Sequence, residues 1–316
     1  MVTSPGAGYR YRTGRGLRGA HVMLASTLLC LALPRQLQEA ATASCGVDRD
    51  CARSYSLARI NVSTARWDPF DATARRHLME RRQSARAACS LQDSNGGRLT
   101  RNGPRVTNEG GWCLSSRNTT DVQLPHNQSY LLPLHHVRAD PGIVEGLLQL
   151  QSDNGRRVSF NDFGAGVGQY GHALLSRYPT VRWRGYDGAG NIDSFTSGFV
   201  EWFDLSLPLA LPRSDWLISL EVGEHVPHTL EEMVVRNLHA HNCRGVILSW
   251  ASLGQGGHFH VNNHGEEYLT SIFVGLGYYR NETLTSMMRT KAHRSWFKNN
   301  LMVFERHRPT ACHVEE

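Results

Sequence analysis

RVSFNDFGAGVGQYGHAL, residues 157–174, is the stretch on which the fold turns. A short apolar run (Val158, Phe160) meets Asp162. Gly164, Gly166 and Gly168 follow at every second position, and a helix-like segment begins at once. Glycines spaced in this way let the backbone turn tightly and come within van der Waals range of a ligand. They also leave the free N–H groups of the next helix pointing at it. An acidic residue just before the first glycine disfavours a phosphate and favours positive charge or hydrogen-bond donors. The stretch therefore predicts a cradle for a nucleoside that carries a cationic amino-acid tail.

Two other readings of the loop stand beside this one. Gly166, Gly168 and Gly171 also satisfy G-x-G-x-x-G, the dinucleotide fingerprint of nicotinamide and flavin enzymes. A glycine-rich turn with no ligand is the third.

Working outward, strands alternate with helices from about residue 130 onward. Strand-like runs fall at 158–160, 181–186, 216–220, 246–250 and 301–304, and helical segments near 170–178, 229–240 and 265–275. Ile143, Leu147 and Leu150 recur at helical spacing ahead of them. Thr229, with Glu231 and Glu232 behind it, predicts a helix start with a hydroxyl cap and acids in the first turn. Short buried strands alternating with helices predict an α/β fold, a doubly wound parallel sheet covered on both faces. Ligands bind such sheets beyond the carboxyl ends of the strands, where the glycine loop falls.

The next strand ends in Asp187, and a carboxylate there can accept hydrogen bonds from both ribose hydroxyls of an adenosine cofactor. VEWFDLSLP then sets Asp204 and Leu205 after another apolar stretch, where a carboxylate or a main-chain N–H can read an adenine edge. A solvated turn aspartate is the plainer reading of either. A fourth strand runs straight into LEVGEHVP, residues 220–227, with Glu221, Glu224 and His225.

With these motifs in order, residues 130–308 resemble the class I S-adenosylmethionine-dependent methyltransferases. The resemblance implies a Rossmann-like sheet of seven strands, mostly parallel, closed by a final antiparallel hairpin. It implies that Asp162 and the backbone at Gly164, Gly166 and Gly168 hold the methionine end of S-adenosylmethionine. Asp187 would bind ribose, Asp204 and Leu205 would border the adenine, and Glu221 would lie beside the cofactor. It specifies no methyl acceptor.

After the fifth strand comes SWASLGQGGHFHVNNHGEEY, residues 249–268, polar, glycine-rich and placed to overhang the transfer site. Methyl transfer is an in-line displacement, and a hydroxyl acceptor must also lose its proton. A histidine, with an ordinary pKa near 6.5, suits that task at neutral pH. His258 and His260 are the candidate catalytic residues, with His225 third. No metal site is assigned, although His258, His260 and His264 in H-x-H-x3-H also have a metal-binding reading. In a third reading they only shape the loop or touch substrate. Trp250 and Tyr268 line a substrate or pack in the core.

The chain has 316 residues and a net charge of +6. Residues 1–43 carry five arginines and one acid, so the rest is near neutral. No basic–aromatic stripe stands out, and no nucleic-acid partner is expected. Arg10, Arg12, Arg15 and Arg18 precede the apolar run 22–33, and Ala41-Thr42-Ala43 offers a cleavage site. Residues 1–44 thus read as a secretory leader, with an uncleaved membrane anchor or an organellar transit peptide as alternatives. Residues 45–129 read as an irregular, Arg-rich, cysteine-bearing extension with a helix around 71–88, and 309–316 as a tail. Cys45, Cys51, Cys89, Cys113, Cys243 and Cys312 would remain after cleavage, an even number compatible with disulfides. N-x-[ST] sequons stand at Asn61, Asn118, Asn127 and Asn281.

The function expected is methyl transfer from S-adenosylmethionine, in the secretory lumen, to a hydroxyl of a glycan or small metabolite. A cofactor-binding protein without catalysis, and an NAD-dependent oxidoreductase, are the alternatives. The oligomeric state is not legible in the sequence.

Overall fold

Every position of Ser159–Phe163 is buried, and so are six of the seven in Ser214–Leu220. Strands buried on both faces belong at the middle of a sheet covered on both sides. The computed structural model describes residues 72–94, 111–114, 119–123, 129–133, 138–150, 158–208, 210–310 and 312. The leader, Cys45, Cys51 and the sequons at Asn61, Asn118 and Asn127 lie outside them.

A helix, α1 (Ala72–Ser94), comes first, then an antiparallel pair, β1 (Thr119–Gln123) and β2 (Ser129–Pro133). The main sheet is built from β3 (Ser159–Phe163), β4 (Arg182–Asp187), β5 (Val200–Trp202), β6 (Ser214–Leu220), β7 (Asn242–Ser249), β8 (Tyr278–Arg280) and β9 (Met302–Arg306). Its order is β5-β4-β3-β6-β7-β9-β8. The strands β3 to β7 are parallel, and β9 runs antiparallel between β7 and β8. This is the seven-stranded, mostly parallel α/β sheet that the resemblance implies.

Helices cover both faces. On one side α2 (Pro141–Gln149), α3 (Gln169–Arg177), α7 (Glu282–Lys291) and α8 (Ser295–Asn300) bury Ile143, Leu147, Leu174, Met288 and Phe297 against Trp216 and Ile218. On the other, α5 (Glu231–Ala240) and α6 (Glu266–Gly275) bury Val234, Leu238 and Phe273 against Leu217 and Val246. Alternation along β6 sends Trp216 and Ile218 one way and Leu217 the other, as the strand pleat requires. Each fully buried apolar side chain of this size contributes about 1.5–3 kcal/mol.

A short helix, α4 (Ile192–Phe195), follows β4 and receives the extension. Asp193 pairs with Arg82 and Arg86 of α1. A Cβ on Gly190 would lie 2.1 Å from the Ala85 carbonyl oxygen, so α1 seats directly on the β4–α4 turn. Cys89 is bonded to Cys113, and Cys243 at the start of β7 to Cys312. Asp140 caps α2 through the N–H groups of Gly142 and Ile143. The same carboxylate accepts from the N–H groups of His293 and Arg294, fastening the α7–α8 turn to the start of α2.

Three expectations need correction. Thr229 is not a helix cap: it lies in a 3-10 turn, His228–Leu230, and α5 starts at Glu231 with no side-chain cap. The closing antiparallel pair is not a tight hairpin, because α7 and α8 lie between β8 and β9. The extension is more ordered than its composition indicates, since α1 runs on to Ser94 and β1 and β2 pair. Among the described residues no helix is long and apolar enough to cross a membrane.

Candidate functional site

The sheet order reverses between β3 and β6, so the crevice of a doubly wound fold opens at the carboxyl ends of these two strands. The glycine loop leaves β3 there, and Glu221 follows β6.

Gly164, Gly166 and Gly168 have φ values of 79°, 57° and 78°, a left-handed backbone that glycine adopts without strain. Gly164 and Ala165 both donate to the Tyr186 carbonyl, at 2.8 and 3.0 Å, which folds the loop over the end of β4. Asp187 completes the cradle. Its Oδ2 accepts the Gly166 N–H and its Oδ1 the Ala189 N–H, each at 2.8 Å. These two bonds fix the orientation of the carboxylate.

Asp162 lies beneath the loop, 3% exposed, with Oδ2 lacking a hydrogen-bond partner among the described residues. Burial, with the nearby Asp187 charge adding to it, pushes its pKa up to about 7. Asp204 is also buried, and its Oδ1 accepts from the N–H and hydroxyl of Ser206 in a tight local turn. Leu205 beside it is almost fully buried.

Glu221 has φ 58° and leaves β6 with its N–H on Ser249. Its carboxylate accepts from Gln255 at 3.3 Å and Asn300 at 3.2 Å. Burial raises its pKa, partly offset by Ser249, these amides and the charge of His260. The chain then makes a 3-10 turn, Gly223–His225. Gly223 is required there, because a Cβ would lie 2.1 Å from the Trp250 ring. The Glu224 carbonyl accepts the N–H groups of Val261 and Asn262, pinning the 251–265 loop over the turn.

That pinning brings the three candidate histidines together. His225 lies edge-on to His260 at 5.1 Å, and the Trp112 ring meets His225 at 5.1 Å and His258 at 5.0 Å. His225 Nδ1 faces the Phe259 carbonyl, and His260 Nδ1 the Gln255 carbonyl. Burial, with His260 and His258 nearby, lowers the pKa of His225 to about 4, so it is neutral at pH 7.

His264 goes elsewhere. It meets the Glu231 carboxylate at 2.5 Å, together with His228, Asn262 and the Tyr268 hydroxyl. H-x-H-x3-H is therefore not one ligand set: Phe259 takes a left-handed φ of 54° and the third histidine sits in a separate network. Trp250 packs in the core at 1% exposure, and Tyr268 stacks on His264 and packs against the same core cluster. Two contributors escaped sequence reading. Trp112 comes from the extension and Asn300 from the far end of α8, and no local pattern links either to the loop.

No family model matches the chain, and no curated relative does. Solved structures do match. They include methyltransferases and a pericyclic reaction enzyme. A magnesium protoporphyrin IX methyltransferase from Synechocystis PCC 6803 with bound SAM is 17% identical (TM-score 0.39), over 52% of this chain and 77% of its own. An amino pentose methyltransferase from Micromonospora echinaspora is 12% identical (TM-score 0.40), over 52% and 89%. The 1,6-didemethyltoxoflavin-N1-methyltransferase of Burkholderia thailandensis is 12% identical (TM-score 0.37), over 59% and 98%. At such distances the strand order and directions of this sheet themselves fix the fold.

Proposed function

We propose that the protein is an S-adenosylmethionine-dependent methyltransferase acting on a hydroxyl of a glycan or small metabolite. The observation that carries this reading is the Asp187 carboxylate pinned to Gly166, a ribose acceptor held against a glycine cradle. The residues present fit the cofactor. Three left-handed glycines leave the backbone bare at 164, 166 and 168 while Ala165 and Val167 are buried in the core, and the unpartnered Asp162 oxygen offers an acceptor for the donors of an amino-acid tail. Asp162 and the 164–168 backbone would hold the methionine end and Asp187 the ribose, with Asp204 and Leu205 along the adenine and Glu221 beside the cofactor. When bound, the cofactor supplies an electrophilic methyl group on sulfur.

The chain's own part is to orient the acceptor and manage its proton. In this reading His225, His258 and His260, walled by Trp112, would stand beside the acceptor hydroxyl. A neutral imidazole there accepts the proton that a hydroxyl must lose. The two disulfides support an oxidising compartment, and with the leader they favour acceptors found in the secretory lumen.

A thermal-shift comparison tests the cofactor class, since a ligand of the native state raises the melting temperature. Adenosylhomocysteine should stabilise the full-length protein and NAD should not; the reverse would overturn the reading. Labelled methyl transfer to a panel of glycans and small phenols tests the acceptor. Label found only on protein side chains would sink the hydroxyl assignment.

A further inference from the structure

Glu224 is 0% exposed, and neither oxygen of its carboxylate has a hydrogen-bond partner among the described residues. Its own N–H and that of Ala251 lie toward the group and favour its charge without meeting hydrogen-bond geometry. No ion pair among the described residues includes it. A buried carboxylate left so is costly, and protonation alone leaves a buried O–H that also needs an acceptor. Glu221 makes matters worse, because a second carboxylate stands close by and repels it. A bound cation removes both penalties at once.

The neighbours of Glu224 are the donors such a cation needs. One ligand atom each from Glu224, His225 and His260 lies within 4.8 Å of the others. Ligands around an ion at about 2.1 Å stand roughly 3–3.5 Å apart, so small side-chain rotations close the set. Both rings are also prepared for the task. Each turns Nδ1 to a main-chain carbonyl, at 3.3 Å for His225 and 3.2 Å for His260. A carbonyl on Nδ1–H fixes the tautomer whose Nε2 carries the lone pair, the usual outer-sphere arrangement of metal-bound histidine. The His258 carbonyl also acts on the His225 ring and Gly257 packs against His260 Nε2, so both rings must turn to meet an ion.

A second cluster shows the contrast. His228, Glu231 and His264 are equally close together, but Glu231 already accepts from both histidines, Asn262 and Tyr268. That carboxylate is saturated and wants no ion. We propose that Glu224, His225 and His260 bind one divalent first-row transition ion, such as zinc, whose open coordination position takes an oxygen of the methyl acceptor. Two imidazoles and one carboxylate suit such ions. Three protein ligands with an open position are the pattern of catalytic rather than structural sites. An ion there would lower the pKa of a bound hydroxyl, and with His225 and His260 coordinated the proton would pass to His258. The acceptor clause rests on the methyltransferase reading; the metal site does not.

Full-length protein, stripped with chelator, should bind one Co2+ per chain and develop visible d–d absorption. Glu224→Gln and His260→Ala should each weaken that binding by more than the roughly 10–100-fold typical of outer-shell changes. His228→Gln, in the saturated cluster, should keep it. Zn2+ should raise the melting temperature of the parent and not of Glu224→Gln, and the same melting curves report whether each variant folds. If Glu224→Gln does not fold, His260→Ala in the loop decides. Absence of stoichiometric Co2+, undiminished binding in the site variants, or loss in His228→Gln would each overturn the site. Adenosylhomocysteine binding is measured separately on metal-free protein, so failure of the cofactor reading and failure of the metal site are told apart.

Discussion

Asp187 and Gly166 are joined across the mouth of the crevice, the carboxylate of one accepting the N–H of the other at 2.8 Å. The tip of β4 and the loop after β3 are thereby tied together, and under the proposed function a ribose on Asp187 would be registered against the glycine cradle. Hydrogen bonds to a charged acceptor are worth about 1.5–3 kcal/mol. Asp187→Ala is therefore expected to weaken adenosylhomocysteine binding roughly 10–100-fold while the protein stays folded. Calorimetric titration checks this, and unchanged affinity would remove Asp187 from the ribose site.

Gly164 is held by geometry and by packing together. Its φ is 79°, and an added Cβ would lie 2.3 Å from Val222 Cγ2. Left-handed backbone costs a non-glycine residue about 1–3 kcal/mol, and the clash adds to it. Gly164→Ala should lower stability by at least that much in urea unfolding. Combining it with Val222→Ala should relieve the clash and leave the backbone term. If the double variant recovers fully, the φ argument fails.

The sheet was legible because its signals are local: apolar runs of strand length, punctuated by glycine and separated by helical spacing. Asp162, the three glycines, Asp187 and Glu221 were legible for the same reason, each standing at a strand end. The short edge strands β5 and β8 were less so, since three residues carry little periodicity. The histidine loop shows the limit. HFHVNNH reads as one triad, yet Phe259 turns left-handed and the Glu224 carbonyl seizes Val261 and Asn262. His260 is thus sent to Glu224 and His264 to Glu231. Trp112, some 110 residues before His225, belongs to this site only through folding.

His239 and Glu231 each withdraw stability in acid, in different windows, while the raised carboxyls of Asp162, Glu221 and Glu224 act in the opposite sense. Burial, reinforced by Arg306 and Arg213, holds His239 at about pH 4, against about 6.5 in an unfolded chain. Between those values the unfolded state binds a proton that the native state refuses, so stability falls as pH falls through that window. His225 adds a similar loss. Glu231 acts lower. Burial opposes its charge, but His228, His264 and Tyr268 outweigh burial and hold it well below the ordinary range. Its contribution is complete above the unfolded value of about 4.3 and drains away beneath it. The stability difference between His239→Gln and the parent should therefore change between pH 6.5 and 4, in favour of the variant as pH falls, and stay level below. Melting temperatures from pH 8 to 3 decide, and a difference that stays level through the upper window would refute the assignment.

Cys243 and Cys312 tie the first turn of β7 to the chain beyond β9, 69 residues apart in sequence. The neighbouring Thr310 donates its N–H to the Cys243 carbonyl at 3.1 Å, and Arg213 reaches both Thr310 and the Asn242 carbonyl, so native packing already favours the closure. A cross-link over a loop of that length restricts the unfolded chain by up to about 4 kcal/mol, and removing a native one typically costs about 2–5 kcal/mol. Cys312→Ser should therefore unfold at lower urea concentration than the parent, with the difference vanishing when the parent is reduced. Intact mass under non-reducing conditions, with and without alkylation, reads the pairing directly. A parent whose Cys243 alkylates freely without reductant would contradict the bond.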